Sequence, residues 1–297
     1  MIAIDKKNTR VGFAGLGLMG NALVHRLMEG GWNLRVWNRT AQRAQEFKDR
    51  GIPIDTTPAE LAGNSDLVIS SLANDQAARE VYLGKDGIFS KAKAGLIALE
   101  MSTLSPAASL ELHARAKETG VRLLDIPIAG STPAVKAGAI TLLAGGSQEI
   151  FESCAPLFET LAKQWFLMGP AGSGVQMKLV VNLLLGVGMQ AIAESVSLGE
   201  SLGIDRDTLL KVLSKTAVIG PAFVGKFDKI QRGDYSPQFP LRLMHKDLGL
   251  VLKEAHEKGL ALPAAEAAHQ VTGEVVKENG DLDLSAIVPW VAGKRLS

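Results

Sequence analysis

The chain has very little of the residues that build covalent or metal-bound frameworks. Only one of its 297 residues is a cysteine, Cys154, so no disulfide can form within the chain. No grouping of cysteine and histidine has the spacing of a metal site. We therefore expect neither a structural disulfide nor a metal cofactor, and we expect Cys154 to be a small, buried residue in a predicted helix.

The chain also has no large excess of positive or of negative charge. The formal net charge is +1 at pH 7, and the basic residues are interspersed with acidic ones. Because nucleic-acid-binding surfaces depend on clustered positive charge, this balance argues against a nucleic-acid partner. Aromatic residues make up only 5% of the chain and hydrophobic residues 46%, which is typical of an α/β protein rich in alanine, leucine and valine.

Long uninterrupted apolar runs are scarce as well. The longest, residues 179–185, contains Asn182 and is followed by glycines, so we expect no membrane-spanning segment. The first ten residues are mixed and charged, without the apolar segment of a secretory signal. From these absences we expect a cytoplasmic protein.

What the chain does contain is a glycine turn at its first predicted strand–helix junction. The apolar run that begins at Val11 leads into Gly15, Gly17 and Gly20, which have G-x-G-x-x-G spacing. In such a turn the first glycine permits the tight bend, the second lets a pyrophosphate approach the backbone, and the third allows helix and strand to pack closely. The N–H groups of the following helix attract the anion. The turn predicts a dinucleotide contacted by Gly15, Leu16, Gly17, Leu18, Met19 and Gly20.

A carboxylate is missing where a dinucleotide fold most often has one. About 20 residues after the glycines an Asp or Glu usually binds the ribose 2′-hydroxyl of NAD. Here the second predicted strand, residues 33–37, ends in Asn38, Arg39 and Thr40. A guanidinium suits a 2′-phosphate, so we expect NADP(H), with these three residues as coenzyme contacts. The alternative is that Arg39 simply begins a solvated helix.

The first half of the chain alternates short apolar runs with amphipathic stretches. This alternation predicts a doubly wound parallel sheet, a Rossmann domain, with ligands bound beyond the carboxyl ends of its strands. The predicted strands after the second are residues 67–72, 96–99, 121–128 and 139–144, and the predicted helices are 41–50, 75–83, 106–119 and 148–161. Asn74 and Thr103 follow two of the strands and are expected near the nicotinamide, although each type of residue also caps helices.

The composition changes at the glycine-rich residues 169–174, where we place a domain boundary. Residues 1–170 are predicted to bind the coenzyme, and residues 171–297 are predicted to be almost entirely helical. The predicted helices of this second domain are residues 175–202, 207–214, 222–232, 241–258 and 264–278.

Two polar residues lie within the apolar start of the first of these helices. Lys178 and Asn182 are four residues apart and therefore share a helix face. Burial lowers the pKa of a lysine towards neutrality, which suits a proton donor or acceptor, and an asparagine can orient a hydroxyl or a carbonyl. The alternative is a lysine whose stem is buried and whose ammonium reaches solvent. Lys246 and Asp247 form another polar pair, of the kind that is usually found at a surface, and His113 is expected on a charged helix face.

Taken in order, these motifs resemble those of the β-hydroxyacid dehydrogenase family. The resemblance covers residues 10–290 and comprises the glycine turn, the loop D-I-P-I-A-G-S-T at residues 125–132, G-S-G-V-Q-M-K-L-V-V-N at 172–182 and K-D-L at 246–248. It implies a Rossmann domain, a long interdomain helix, an all-helical C-terminal domain and a homodimer or homotetramer. It also implies that Lys178 is the catalytic lysine with Asn182 as its partner, that Thr103 and Lys246 contact the coenzyme, and that the substrate carboxylate binds at Gly130, Ser131 and Thr132.

One position departs from the family pattern. The family loop usually has a serine that contacts the substrate carboxylate, and this chain has Ala129 there. Ser131 and Thr132 still offer hydroxyls to an anion, but the change favours a larger or less acidic carbonyl substrate than the usual small hydroxyacid. Three alternatives stay open at this point: an imine reductase, a decarboxylating 6-phosphogluconate-type enzyme, and a non-catalytic scaffold of the same fold.

Overall fold

The computed structural model of the chain describes residues 4–294. The chain divides into two compact units, Met1–Lys178 and Leu179–Ser297. The sequence predicted a boundary at the glycine-rich segment near residue 170. The division lies a few residues later because one continuous helix, Ser173–Ser201, begins in the first unit and continues into the second.

The described part of the first unit contains one eight-stranded sheet. Its strands are β1 Arg10–Ala14, β2 Asn33–Trp37, β3 Leu67–Ser70, β4 Ile97–Glu100, β5 Arg122–Asp125, β6 Ile128–Ala129, β7 Ile140–Gly145 and β8 Ala162–Gly169. They are ordered β2-β1-β3-β4-β5-β7-β6, with β8 also paired to β7. The pairs from β2 to β5 are parallel, whereas β7 is antiparallel to β5 and β6.

Helices cover both faces of this sheet. They are α1 Leu18–Glu29, α2 Gln45–Lys48, α3 Pro58–Gly63, α4 Asp75–Leu83, α5 Ile88–Lys91, α6 Pro106–Thr119, α7 Thr132–Lys136, α8 Gln148–Ser153 and α9 Ala155–Leu161. Neighbouring residues of β3 point into different cores, since Leu67 and Ile69 belong to one buried cluster and Val68 to another. Strands buried on both faces read as continuous apolar runs, which is why the sequence revealed them.

The Rossmann prediction is confirmed, with local differences. The sequence analysis did not predict β8, which carries exposed residues at alternate positions, nor the antiparallel pairing of β6 and β7. The predicted helix over residues 148–161 is divided at Cys154, because Pro156 has no N–H to continue a helix and lies instead in the first turn of α9. Cys154 is fully buried at this junction, and burial raises the pKa of its thiol to about 12.

Beyond Lys178 the described chain is helical. Its helices are α10 Ser173–Ser201, α11 Arg206–Leu213, α12 Pro221–Arg232, α13 Leu241–Glu257, α14 Pro263–Asn279 and α15 Ile287–Val291. The second unit has its own core, to which Met189 and Val196 of α10 contribute together with Met244 and Leu248 of α13. The predicted all-helical C-terminal part is therefore confirmed, and the short α15 was not predicted.

Helix α10 matches the helix predicted over residues 175–202 to within two residues at each end. Neither Asn182 nor the following glycines interrupt its 29 residues, so by length and composition alone it is able to cross a membrane. This is weak evidence for a membrane span, because a buried core helix passes the same test and 44% of the apolar window is buried inside the protein.

Candidate active site

The glycine turn between β1 and α1 has the geometry of an anion-binding loop. Gly15 has a φ of +99°, and a Cβ on Gly20 would lie 1.9 Å from the carbonyl oxygen of Gly15, so both positions require glycine. A Cβ on Gly17 would meet no described atom of the chain within 4 Å. Gly17 therefore borders open space above the turn, where a ligand can approach the backbone.

The beginning of α1 supports the same reading. Among the described residues no side chain caps this helix, so N–H groups of its first turn point towards the open space beside Gly17. Leu16 N–H donates to Asn38 Oδ1 at 2.8 Å, and Asn38 Nδ2 donates to the carbonyl oxygen of Thr40. Asn38 thus ties the end of β2 to the glycine turn, a structural role that the sequence analysis did not foresee. The turn and the helix start fit the pyrophosphate of a dinucleotide.

Arg39 extends from the same strand end into solvent. Its side chain is 82% exposed, and its Nη1 atom lies 3.7 Å from Glu80 Oε2. An exposed ion pair at this distance contributes little free energy, so the guanidinium can leave it for a better anion. Whether Asn38, Arg39 and Thr40 contact a coenzyme stays a prediction.

The loops that follow β3 and β4 are joined to each other. Leu72 N–H donates to Ser102 Oγ at 2.7 Å, which brings the segments of Asn74 and Thr103 side by side. Asn74 also caps α4 by accepting from Ala77 N–H. Capping uses the Oδ1 atom of Asn74 and not its Nδ2 donor, so it is compatible with the predicted position beside the nicotinamide.

A buried carboxyl group, missed in the sequence analysis, lies beneath these loops. Glu100, the last residue of β4, accepts hydrogen bonds from Ser70 Oγ and from Ser102 N–H, the latter at 2.7 Å. Burial is the main cause that raises the pKa of Glu100, to about 7. A glutamate that ends an otherwise apolar strand is the signal that could have identified it, because charged residues are rarely buried without a role.

A second buried carboxylate fixes the beginning of α10. Asp125 accepts from Gly172 N–H at 2.8 Å and from Val175 N–H at 2.9 Å, and it lies 2.9 Å from His113 Nε2. Space is tight, since a Cβ on Gly174 would lie 2.3 Å from the Leu143 carbonyl oxygen. The sequence analysis expected His113 on a charged helix face, whereas its side chain is only 13% exposed and lies beside the buried Asp125. Asp125 sets the first turn of the helix that carries Lys178.

Lys178 and Asn182 lie one turn apart on α10, and both are buried. Lys178 is 8% exposed and Asn182 is 1% exposed. Asn182 Nδ2 donates to Asp247 Oδ2 at 2.6 Å, and Lys246 Nζ lies 2.8 Å from Asp247 Oδ1. Asn182 Oδ1 has no hydrogen-bond partner among the described residues. The donor end of the Asn182 amide is thus fixed, and the end left over is a hydrogen-bond acceptor.

The expectation that Asp247 belongs to a surface pair was wrong. Asp247 is buried between Met244 and Leu248 on the apolar face of α13. The helical spacing of those apolar residues could have revealed that Asp247 lies near the same face. Asp247 is therefore a buried carboxylate that fixes the donor end of the Asn182 amide.

The predicted carboxylate-binding loop connects β6 to α7. Gly130 has a φ of +155°, and a Cβ there would lie 2.7 Å from Ile140 Cγ2. Ser131 precedes α7 without capping it, so its hydroxyl is not used by that helix. Ala129, the position that departs from the family pattern, pairs with Thr141 across β6 and β7.

Fold and turn together define a protein that binds a dinucleotide in a Rossmann domain. Two family profiles match consecutive parts of the chain: the NAD binding domain of 6-phosphogluconate dehydrogenase over residues 10–169, and the NAD-binding domain of NADP-dependent 3-hydroxyisobutyrate dehydrogenase over residues 172–291. The chain therefore belongs to the β-hydroxyacid dehydrogenase family, nicotinamide-dependent oxidoreductases that act on a CH–OH group of a small molecule.

Individual relatives agree with this assignment. Glyoxylate/succinic semialdehyde reductase 1 of Arabidopsis thaliana is 34% identical over 96% of this chain and 99% of its own length. The structure of a 3-hydroxyisobutyrate dehydrogenase from Salmonella typhimurium is 27% identical, with a TM-score of 0.86 over 95% of this chain and 100% of that one. The cytokine-like nuclear factor N-PAC of Xenopus tropicalis is 32% identical over 97% of this chain, which spans 53% of that protein.

The open space beside Gly17 makes a selective test of coenzyme binding possible. We expect Gly17→Ala to weaken binding of NADPH by about tenfold or more, because the added methyl group would occupy the approach of the pyrophosphate. The Tm should stay within a degree or two of the parent protein's, since the methyl group meets no described atom of the chain. Fluorescence titration and thermal denaturation provide the two measurements.

The control is Gly20→Ala, whose methyl group would overlap the Gly15 carbonyl oxygen and should lower the Tm as well. Unchanged NADPH affinity in Gly17→Ala would contradict the assignment of the pyrophosphate to this turn.

Proposed function

We propose that this protein is an NADP(H)-dependent oxidoreductase that interconverts a short hydroxyacid and its aldehyde or keto acid, with Lys178 as the acid/base group. The observation that carries the proposal is the buried lysine at 8% exposure in the family's lysine position, followed one turn later by a buried asparagine. A lysine inside an apolar helix is costly to maintain, so its presence argues for chemistry at its ammonium group.

Lys178 and Asn182 have different roles in the proposed reaction. The glycine turn would hold the coenzyme, which would supply or accept the hydride at the carbon that carries the substrate oxygen. During reduction Lys178 Nζ donates a proton to that oxygen, and during oxidation it accepts the hydroxyl proton. Asn182 Oδ1 is left as a hydrogen-bond acceptor that can orient another donor group of the bound substrate, because Asp247 holds the opposite end of the amide. Correct orientation of this kind accounts for several kcal/mol in enzymes generally.

The size of the substrate is proposed to depend on the loop that connects β6 to α7. Ser131 and Thr132, with neighbouring backbone N–H groups, are proposed to bind the carboxylate at the end of the substrate remote from the reacting carbon. Ala129 removes a hydroxyl from the loop and widens it, which favours a substrate larger than the smallest hydroxyacids. A panel of aldehyde and keto acids of increasing length, including glyoxylate and succinic semialdehyde, with NADPH and NADH tests this directly.

Lys178 offers the sharpest test of the mechanism. We expect Lys178→Met to lower kcat by about 10²- to 10⁴-fold, since that is the rate enhancement that a general acid/base supplies, and methionine preserves the apolar packing. NADPH affinity should change by less than about threefold because the coenzyme is held mainly through its phosphates. The control is Lys253→Met, which removes an exposed lysine of α13. Normal turnover in Lys178→Met would exclude the acid/base role.

The rival functions give different results in the same assays. A scaffold would bind coenzyme and turn over no member of the panel, whereas an imine reductase would reduce a cyclic imine faster than any semialdehyde. A 6-phosphogluconate-type enzyme would release CO₂ from a phosphorylated sugar acid. The buried Lys178 and the intact glycine turn favour the reductase over the scaffold.

Preference for NADP(H) over NAD(H) is proposed to depend on Arg39. We expect Arg39→Ala to lower the ratio of kcat/KM for NADPH to that for NADH by about tenfold to a hundredfold, because the lost charge-assisted bonds to the 2′-phosphate are worth about 1.5–3 kcal/mol. Arg115→Ala, which removes an exposed arginine of α6, is the matched control. An unchanged ratio would assign the preference to other residues.

We also propose that the protein is a homodimer or homotetramer. One face of α10 exposes Val180, Leu184 and Leu198, each with more than half of its surface accessible, and these positions recur on the same side of the helix. Exposed large apolar side chains on one side of a helix are typical of an interface.

The proposed interface can be tested by introducing charged side chains on this face of α10. We expect Leu184→Glu combined with Leu198→Glu to convert the oligomer to monomers, because two buried charges per protomer would oppose association. Light scattering coupled to size-exclusion chromatography measures the mass. Leu110→Glu, which places the same charge at an exposed apolar position of α6, should leave the mass unchanged.

A further inference from the structure

Two carboxyl groups join the segments that follow β3 and β4: Asp75, which accepts from Ser105 N–H and Ser105 Oγ, and the buried Glu100. Glu100 accepts from Ser70 Oγ, and that hydroxyl lies 2.6 Å from the Tyr82 hydroxyl of α4. On its other side it accepts from Ser102 N–H, while Ser102 Oγ accepts from Leu72 N–H. All of these side chains are buried or half-buried, so the carboxyl group lies beneath the two loops and is hydrogen-bonded to residues at the start of each.

The strand order places this group under one end of the coenzyme groove. In this sheet β2 and β3 lie on opposite sides of β1, so the strand order reverses there, and a dinucleotide lies across such a point. The β2 side ends in Asn38 and Arg39, the proposed adenosine end. The β3 and β4 side, with Glu100 below its loops, therefore corresponds to the nicotinamide end. The oxidised nicotinamide ring carries a positive charge that the reduced ring lacks.

We propose that Glu100 determines the relative affinity for the two oxidation states of the coenzyme: its negative charge, held beneath the loops after β3 and β4, favours the oxidised, positively charged ring. The inference rests on the proposed function only in requiring that the coenzyme binds in this groove. Glu100 is a positioning residue, because it acts through the loops and through its field and makes no direct contact with substrate.

The surroundings of Glu100 explain why its ionisation responds to a nearby cation. From α4 it faces the Tyr82 hydroxyl, and the neighbouring strand β5 supplies Asp125 as its register partner. Asp125 is balanced by His113 and by two backbone N–H groups, whereas the bonds to Glu100 come from hydroxyls and a backbone N–H. A nearby cation therefore has a strong effect on this carboxyl in a medium of low polarity.

The sign of the pH dependence follows from linkage. Burial raises the pKa of Glu100 to about 7, so the group is mostly protonated at pH 6 and mostly ionised at pH 8. An oxidised ring favours the ionised form and lowers that pKa, and by reciprocity the affinity for NADP⁺ rises with pH. The affinity for NADPH lacks this contribution.

The experiment measures the Kd of NADP⁺ and of NADPH at pH 6 and pH 8 by fluorescence titration, without substrate. Taking the ratio of the two Kd values cancels the titration of the 2′-phosphate and of the residues that bind it. In the parent protein we expect the ratio of the Kd of NADP⁺ to that of NADPH to fall by about threefold to tenfold between pH 6 and pH 8. In Glu100→Gln, which keeps the shape and removes the charge, the ratio should stay constant.

Three further variants make the test specific. Glu111→Gln, which neutralises an exposed carboxylate of α6, should behave as the parent. Tyr82→Phe removes a hydroxyl whose hydrogen bond lowers the pKa of Glu100, so it should move the transition to higher pH without abolishing it. Lys178→Met removes the other charged group of the proposed site, and the pH dependence should persist in it.

Each alternative outcome has a definite meaning. A parent ratio that does not change with pH overturns the inference, even if Glu100→Gln fails to fold. So does a pH dependence that survives in Glu100→Gln or disappears in Lys178→Met. Loss of turnover in Lys178→Met together with a flat parent ratio would leave the proposed function intact and exclude only the role of Glu100. A protein that binds neither coenzyme would contradict both proposals.

Discussion

The position of the proposed catalytic lysine depends on one buried carboxylate. Asp125 ends a strand of the coenzyme sheet and accepts hydrogen bonds from Gly172 N–H and Val175 N–H, at the first turn of α10. Those N–H groups have no partner within the helix itself, so Asp125 supplies a cap from a distant strand and a negative charge at the positive end of the helix dipole. Lys178 follows Val175 by three residues, and the same contacts therefore set its height and rotation.

The adjacent strands β4 and β5 end in two buried carboxyl groups, Glu100 and Asp125, which are register partners but have different hydrogen-bond donors. Asp125 is fully satisfied by directed donors and serves as a rigid anchor. Glu100, its register partner on β4, is held by hydroxyls that can reverse their donor and acceptor roles, and burial raises its pKa. The geometry of the strand ends is thus similar, but the neighbours decide which group is fixed in its charge and which responds to a ligand.

The sequence was informative where local pattern and local chemistry agree. The glycine turn, the buried parallel strands and the capped helices, such as α6 with Ser105 and Pro106, depend on neighbours in the chain and were predicted. Strand β8 and the partnerships of Asp125 with His113 and of Asn182 with Asp247 depend on residues 12 to 65 positions apart, which periodicity does not encode. The coenzyme contacts, the substrate loop, the oligomer and the cytoplasmic location stay predictions.

The single thiol of the chain has a consequence for following the folded state. Cys154 is buried between α8 and α9 and burial raises its pKa to about 12, so thiolate is almost absent at neutral pH and reagents have no access to the sulfur. A disulfide-exchange reagent can react only when this part of the first unit opens. The rate of thiol labelling in the unmodified protein therefore reports that opening, and any slowing by a bound ligand measures how far the ligand stabilises the closed structure.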